Sequence, residues 1–177
     1  AKFFERCIEK YWDKFFVFHP NQFGFVQNGG CNKALFAFSR TVDYSRSKGS
    51  NVYICSLDAC KAFDRVNHFA LFACMLRRGV SLPLVNIMFS WYRKLNGRVR
   101  WNNCISNIFS IGSGLPQGSL LSPKFYNLVM DYILETLQAS GYGCYVNTAF
   151  AGAIAYADDL LLLSASLNGL QKLLDVC

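Results

Sequence analysis

The sequence predicts an α+β fold, and three observations predict it. Several long segments repeat apolar residues at helical spacing. Short, almost uncharged runs of strand formers lie between them. Glycine, proline and serine clusters punctuate the rest, with no internal repeat and no low-complexity tract.

Taken in order, residues 1–18 read as an amphipathic helix. Phe3, Phe4, Cys7, Ile8, Tyr11, Trp12, Phe15 and Phe16 recur at helical spacing between lysines and glutamates. HPNQFGFVQNGGC, residues 19–31, is broken by Pro20, Gly24, Gly29 and Gly30 and reads as a loop. A second helix covers 32–47 and ends near Gly49. NVYICSL, 51–57, suits a buried strand, with Asp58 at its end. Residues 67–78 and 82–95 predict two helices stopped by Gly79 and near Gly97. RVRWNNCISNIFSIG, 98–112, predicts a hairpin turning at Asn102–Asn103. GSGLPQGSLLSP, 112–123, is a loop. Residues 124–139 are helical, with Phe125, Leu128, Val129, Tyr132, Ile133 and Leu137 on one face. Residues 144–164 predict strand, strand, tight turn and strand, the turn holding Ala157, Asp158 and Asp159. A last helix begins near Leu167.

Composition bounds the function. In 177 residues, 53% are hydrophobic and 16% charged, and mean hydropathy is +0.19. That excludes an intrinsically disordered chain. The most apolar stretch, Ala149 to Ala157, is half the length needed to cross a bilayer, so no membrane partner is expected. The first residues, AKFFERCIEK, are charged and amphipathic, so they are not expected to act as a signal peptide. A start on Ala and an end inside the apolar pattern LQKLLDVC are expected of an internal fragment. Eight cysteines show no CxxC spacing and only His19 and His68 accompany them, which argues against zinc. Cysteines inside apolar segments favour a reducing, intracellular compartment, nucleus or cytoplasm. Net charge is +7. Between Arg65 and Met130 stand Arg65, Arg77, Arg78, Arg93, Lys94, Arg98, Arg100 and Lys124, and no acid. Such a stretch suits either solvated helix faces or a polyanion.

Two features carry chemistry. Asp58 ends an apolar strand, although a helix cap would use the same residue. Asp158 and Asp159 sit between AFAGAIAYA and LLLLS, although aspartates also suit plain turns. Paired carboxylates at the tip of an apolar hairpin are costly unless something neutralises them. If strand 51–57 lies beside the hairpin, all three converge within a few ångströms. Oxygen ligands without His or Cys favour two Mg²⁺ or Mn²⁺ ions, which can clamp a phosphoryl displacement.

At these residues the chain resembles a known family. LDACKAFDRVNH (57–68), GLPQGSLLSP (114–123) and YADD (156–159) resemble, in order, three motifs of reverse transcriptases, closest to those of non-LTR, LINE-like retrotransposons. QFGFVQNGG (22–30) resembles the motif that precedes them in the fingers. The resemblance spans roughly residues 20–177. It implies a right-hand polymerase: partial fingers and leading helices over 1–50, and palm over 51–177 with inserted helices and a hairpin, ending before the thumb. It implies an RNA-directed DNA polymerase using RNA template, DNA primer and dNTP. Asp58 and Asp158 match the metal-binding aspartates, with the backbone of Ala59 near the second ion and Asp159 less directly engaged. Ala59, Cys60, Lys61 and Ala62 would line the triphosphate. Phe63 matches the steric gate against a ribose 2′-hydroxyl, and Gln117 and Gly118 match the loop against template and nucleotide, where glycine allows close approach. Asp64 and Asn67 are expected as caps of the next helix, His68 as structural and Tyr156 as packing under the primer end.

The departures are specific. No Arg-Pro-Ile strand precedes the QFGF box, and Val26 and Gln27 stand where a basic residue is common. The lysine motif, primer grip and thumb would follow Cys177. An inactive or domesticated nucleic-acid-binding remnant is the alternative of a different class. An RNA-dependent RNA polymerase shares the palm, but Phe63 and Ala157 speak against it.

Overall fold

The computed structural model describes residues 2–177. Its six helices are α1 (Lys2–Trp12), α2 (Cys31–Ser47), α3 (His68–Arg77), α4 (Leu82–Tyr92), α5 (Ser122–Ala139) and α6 (Leu167–Val176). The principal sheet is antiparallel, with β1 (Tyr53–Asp58) and β8 (Ala153–Tyr156) flanking β9 (Asp159–Ser164). Three small ribbons complete the described residues. They pair β2 (Asn96–Gly97) with β5 (Phe109–Ser110), β3 (Arg100–Trp101) with β4 (Cys104–Ile105), and β6 (Tyr145–Val146) with β7 (Ala149–Phe150). The α+β class holds.

The sheet is covered on both sides, and this fixes its register. Ala153, Ala155, Leu160 and Leu162 point to one face and pack with Leu134 and Leu137 of α5 and Leu170 and Leu173 of α6. Ile154, Leu161 and Leu163 point to the other and meet Ala34, Ala37 and Phe38 of α2. A one-residue slip would exchange the two faces. A further core joins α3, α4 and the first half of α5 around Leu71, Met75, Met88 and Phe125, with Trp12 inserted from α1. α5 therefore runs through two cores and ties the helical layer to the sheet.

Several expectations are corrected. The first helix is shorter than 1–18: α1 ends at Trp12 and a 3₁₀ turn follows at Asp13–Phe15; residue 1 lies outside the described residues. The expected stripe is divided: Trp12 is buried and Ile8, Phe15 and Phe16 pack against the core, whereas Phe3 and Tyr11 are exposed and Glu5 is buried. Glu5, Glu9 and Asp13, four apart, turn toward the start of α5. Glu5 Oε2 accepts from Leu120 N–H at 2.7 Å, and Lys124 lies between Glu9 and Asp13 at 2.8 and 2.7 Å. Carboxylates are favoured at a helix N-terminus. β1 is not a fully buried strand. It is a sheet edge whose Tyr53, Cys55 and Leu57 face the core while Ile54, Ser56 and Asp58 are exposed. On α5, Tyr132 leaves the apolar face and lies exposed under the Arg77 guanidinium. The hairpin does turn at Asn102–Asn103, both at positive φ, a conformation Asn tolerates.

Candidate active site

The site is built at one end of the sheet, where β8 turns into β9. Tyr156 pairs with Asp159, so the turn is Ala157–Asp158 and Asp159 belongs to the strand. β1 runs antiparallel to β9 in a register that sets Asp58 opposite Asp159. Residues so opposed project from the same face. Both are exposed there, while Asp158 is half-buried in the turn. Like charges facing across a pair of strands are destabilising. Among the described residues no cation forms an ion pair with any of the three.

Asp158 faces different surroundings. Its charge acts on Tyr126 of α5, whose hydroxyl is pushed up to about 12, first by burial and then by this carboxylate. The expectation of three carboxylates gathered together is thus met only in part. Among the described residues no trio of His, Cys, Asp or Glu side chains could hold a metal by itself. The cause is the strand pleat: Asp159 continues β9 beside Asp58, whereas Asp158 belongs to the turn.

The chain leaving β1 continues directly from Asp58. Ala59, Cys60 and Lys61 are exposed, Lys61 at φ +54, and Ala62 is half-buried. A 3₁₀ turn, Phe63–Arg65, follows. Phe63 is half-buried; its ring stacks on Tyr126 at 4.8 Å and meets the edge of Phe25 at 6.0 Å. The Gly/Pro loop docks along this turn. Leu115 N–H donates to the Phe63 carbonyl and Gly114 N–H to that of Val66, each at 2.8 Å. His68, buried, donates from Nε2 to the Gly114 carbonyl at 2.7 Å, a structural tie as expected. Gln117 is exposed and reaches Asp64 Oδ1 at 3.5 Å. Asp64 therefore contacts the loop and does not cap α3. Asn67 does cap it, accepting from Phe69 and Ala70 N–H. Gly118 adopts φ +79 with open space around its α-carbon, so its backbone conformation, not crowding, calls for glycine.

Residues with no expected role hold the turn in place. Asn21–Phe23 lies along the free edge of β8. Phe23 N–H donates to the Ala155 carbonyl and Ala155 N–H to that of Asn21, both at 2.8 Å. Buried Gln22 accepts at Oε1 from Gly24 N–H at 2.8 Å and Ala157 N–H at 3.1 Å. Buried Asn127 of α5 donates to the Gly24 carbonyl at 2.8 Å. The QFGF box is visible as a motif, and an asparagine inside an apolar helix is a signal for Asn127. Beside this segment lies a cleft of about 700 Å³, lined in part by Phe16, Phe25, Gln27 and Lys33.

The basic stretch is only partly free. Arg78 binds buried Asp131 and Glu135, and Lys124 is held by Glu9 of α1 and Asp13 of the turn after it. Arg65, Arg77, Arg93, Lys94, Arg98 and Arg100 are exposed. All eight cysteines are free thiols.

The fold is similar to that of telomerase. A telomerase from Candida tropicalis, truncated from its C-terminal domain, superposes with a TM-score of 0.67 at 14% identity, over 97% of this chain and 34% of that one. Telomerase from Candida albicans, in complex with a fragment of telomeric RNA, gives 0.66 at 12% identity, over 99% and 31%. In sequence the chain is 33% identical over 156 residues to the Pol polyprotein of the type-2 retrotransposable element R2DM of Drosophila melanogaster, covering 88% of this chain and 15% of that protein. It is 31% identical over 150 residues to the R2 element polyprotein of Nasonia vitripennis, covering 85% and 14%. The RNA-directed DNA polymerase of the mobile element jockey of Drosophila funebris is 27% identical over 163 residues, covering 87% and 17%. The chain thus spans about one seventh of the length of the first two. The family model described as reverse transcriptase (RNA-dependent DNA polymerase) matches residues 1–177. With its α+β sheet-and-helix fold and its kinship to R2 and jockey polyproteins, the chain belongs to the reverse transcriptase family, on the non-LTR retrotransposon side.

Proposed function

We propose that this chain is the catalytic core of an RNA-directed DNA polymerase, palm over 51–177 and partial fingers before it. It transfers a deoxynucleotidyl group from dNTP to the 3′-hydroxyl of a DNA primer on an RNA template. One observation carries the reading: the β1–β9 register that opposes Asp58 to Asp159, with Asp158 in the adjoining turn.

The donor set fits divalent cations. Asp58, Asp158 and Asp159 offer only oxygen and have no cationic partner among the described residues. Mg²⁺ is ordinarily held by one or two carboxylates together with substrate phosphates, so a closed trio is not required. Asp58 and Asp158, with the Ala59 carbonyl, would hold two Mg²⁺ or Mn²⁺ ions, with Asp159 alongside. When bound, such ions lower the pKa of the primer hydroxyl and offset the charge of the triphosphate. The chain's own residues supply position. The backbone from Ala59 to Ala62 lies along the triphosphate. Phe63, locked against Tyr126, fills the space of a ribose 2′-hydroxyl, and Gln117 and Gly118 face the template and the incoming base.

The test is primer extension by the full-length polypeptide carrying this domain, with RNA template, DNA primer and dNTP. Asp58→Asn and Asp158→Asn should each lower the rate by about 10²-fold or more. Equal rates in variant and parent would overturn the assignment. Nucleic-acid binding without any extension by the parent would favour the inactive-remnant alternative.

A further inference from the structure

We infer that Gln22 is a positioning residue for the turn that carries Asp158: its side-chain oxygen sets the backbone at Ala157 and thereby the aim of the carboxylate toward a divalent cation. The inference rests on the reading of Asp158 given above.

The turn is not self-sufficient. Ala157 has φ +56, a conformation in which a β-carbon crowds the backbone. Such a residue persists only where its surroundings over-determine it. Ala157 is also buried, so its N–H has no recourse to bulk water. Gln22 Oε1 is the acceptor for that N–H, at 3.1 Å. The same oxygen takes the Gly24 N–H at 2.8 Å, so one atom fixes the brace and the turn together.

Everything around Gln22 holds that oxygen in place. The backbone hydrogen bonds to Ala155 anchor the residues on either side. Asn21 adds two more through its side chain, to the Phe150 and Ala153 carbonyls. Asn127, fully buried, fixes Gly24 from behind. Gly24 itself presses on the turn: a β-carbon there would lie 2.2 Å from Ala157 N, closer than any side chain can approach. By contrast Gln22 Nε2 is buried and bonds to nothing in the protein. The oxygen is therefore the working end of the side chain. A residue needed only to fill space would leave Ala157 N–H unmet.

The test separates acceptor from volume. Gln22→Met keeps the bulk and removes the oxygen; Gln22→Met with Ala157→Gly also removes the crowding of the positive φ. In the metal-free, full-length protein, hydrogen exchange followed by mass spectrometry on peptides spanning 153–159 should show the Ala157 amide opening about fivefold or more faster in Gln22→Met. The Mn²⁺ concentration for half-maximal primer extension should rise by a similar factor, with primer–template affinity unchanged. In the double variant the Mn²⁺ midpoint should return to within about twofold of the parent while exchange stays fast. Unchanged exchange in Gln22→Met overturns the inference at the brace. Faster exchange with an unmoved Mn²⁺ midpoint, while Asp158→Asn abolishes extension, overturns it at the aim and leaves the assignment of Asp158 standing. Undiminished extension in Asp158→Asn instead removes the assignment itself, and the inference with it.

Discussion

Phe63, proposed above as the sugar gate, is also a packing residue. It is half-buried, stacked on Tyr126 and edged by Phe25, so its rotamer is fixed from two sides. A gate that could swing aside would discriminate poorly between sugars differing by one hydroxyl. Phe63→Ala should raise ribonucleotide incorporation relative to deoxynucleotide on the order of tenfold. It should also cost about 1 kcal/mol or more in stability, because the ring no longer stacks on Tyr126. Competition between dNTP and NTP in primer extension, with a melting curve alongside, measures both. An unchanged sugar preference would remove the gate and leave Phe63 as packing.

Helices α1 and α5 carry the supporting polar groups. Glu5→Gln keeps an acceptor for Leu120 N–H but removes the charge, whereas Glu5→Ala leaves that N–H unmet. The alanine variant should lose about 1–3 kcal/mol in denaturant melts, and the glutamine variant less. On α5, burial pushes the Asp131 carboxyl up to about 6 from 3.8, against the His19 N–H and Arg78 that favour its charge. The folded state therefore keeps a proton that the unfolded chain has released between about pH 4 and 6. Stability from this group is full below pH 4 and is lost as pH rises through 6, by roughly 3 kcal/mol. Asp131→Asn should flatten that part of the profile, and melts at pH 4.5 and 7 would show it. These elements also mark how far the sequence can be read. Asp58 and the YADD turn are visible because carboxylates interrupt apolar strands, and Gly79, Asn102 and Asn103 punctuate the chain as their chemistry requires. Asn127 is signalled by its place in an apolar helix, but Glu5, Gln22 and Asp131 do not stand out as buried, because burial of a polar side chain depends on what packs over it. Periodicity places the whole stripe of residues 3–16 inward, and Trp12, Ile8, Phe15 and Phe16 do pack there, but the start of α5 also draws Glu5 in while Phe3 and Tyr11 stay exposed.

At the scale of the whole molecule, charge sorts into two populations. Arg78 and Lys124 are tied to acids, while Arg98, in the link before β3, and Arg100, on the β3–β4 ribbon that carries exposed Trp101, stand exposed. Replacing both arginines by alanine should weaken binding to an RNA–DNA duplex in a largely sequence-independent way. The slope of log affinity against log salt should shrink by up to about two, one for each phosphate left without its arginine. Fluorescence anisotropy from 50 to 300 mM salt would measure it, and an unaltered slope would place the phosphate-binding groups elsewhere. The bond from Ala157 to Gln22 spans 135 residues. During synthesis at about 5–20 residues per second, Gln22 leaves the ribosome roughly 7 to 27 seconds before its partner exists. Until the YADD segment has emerged the Gln22 oxygen has no Ala157 N–H to receive, so the brace of this turn is among the last contacts of the fold that synthesis allows to form.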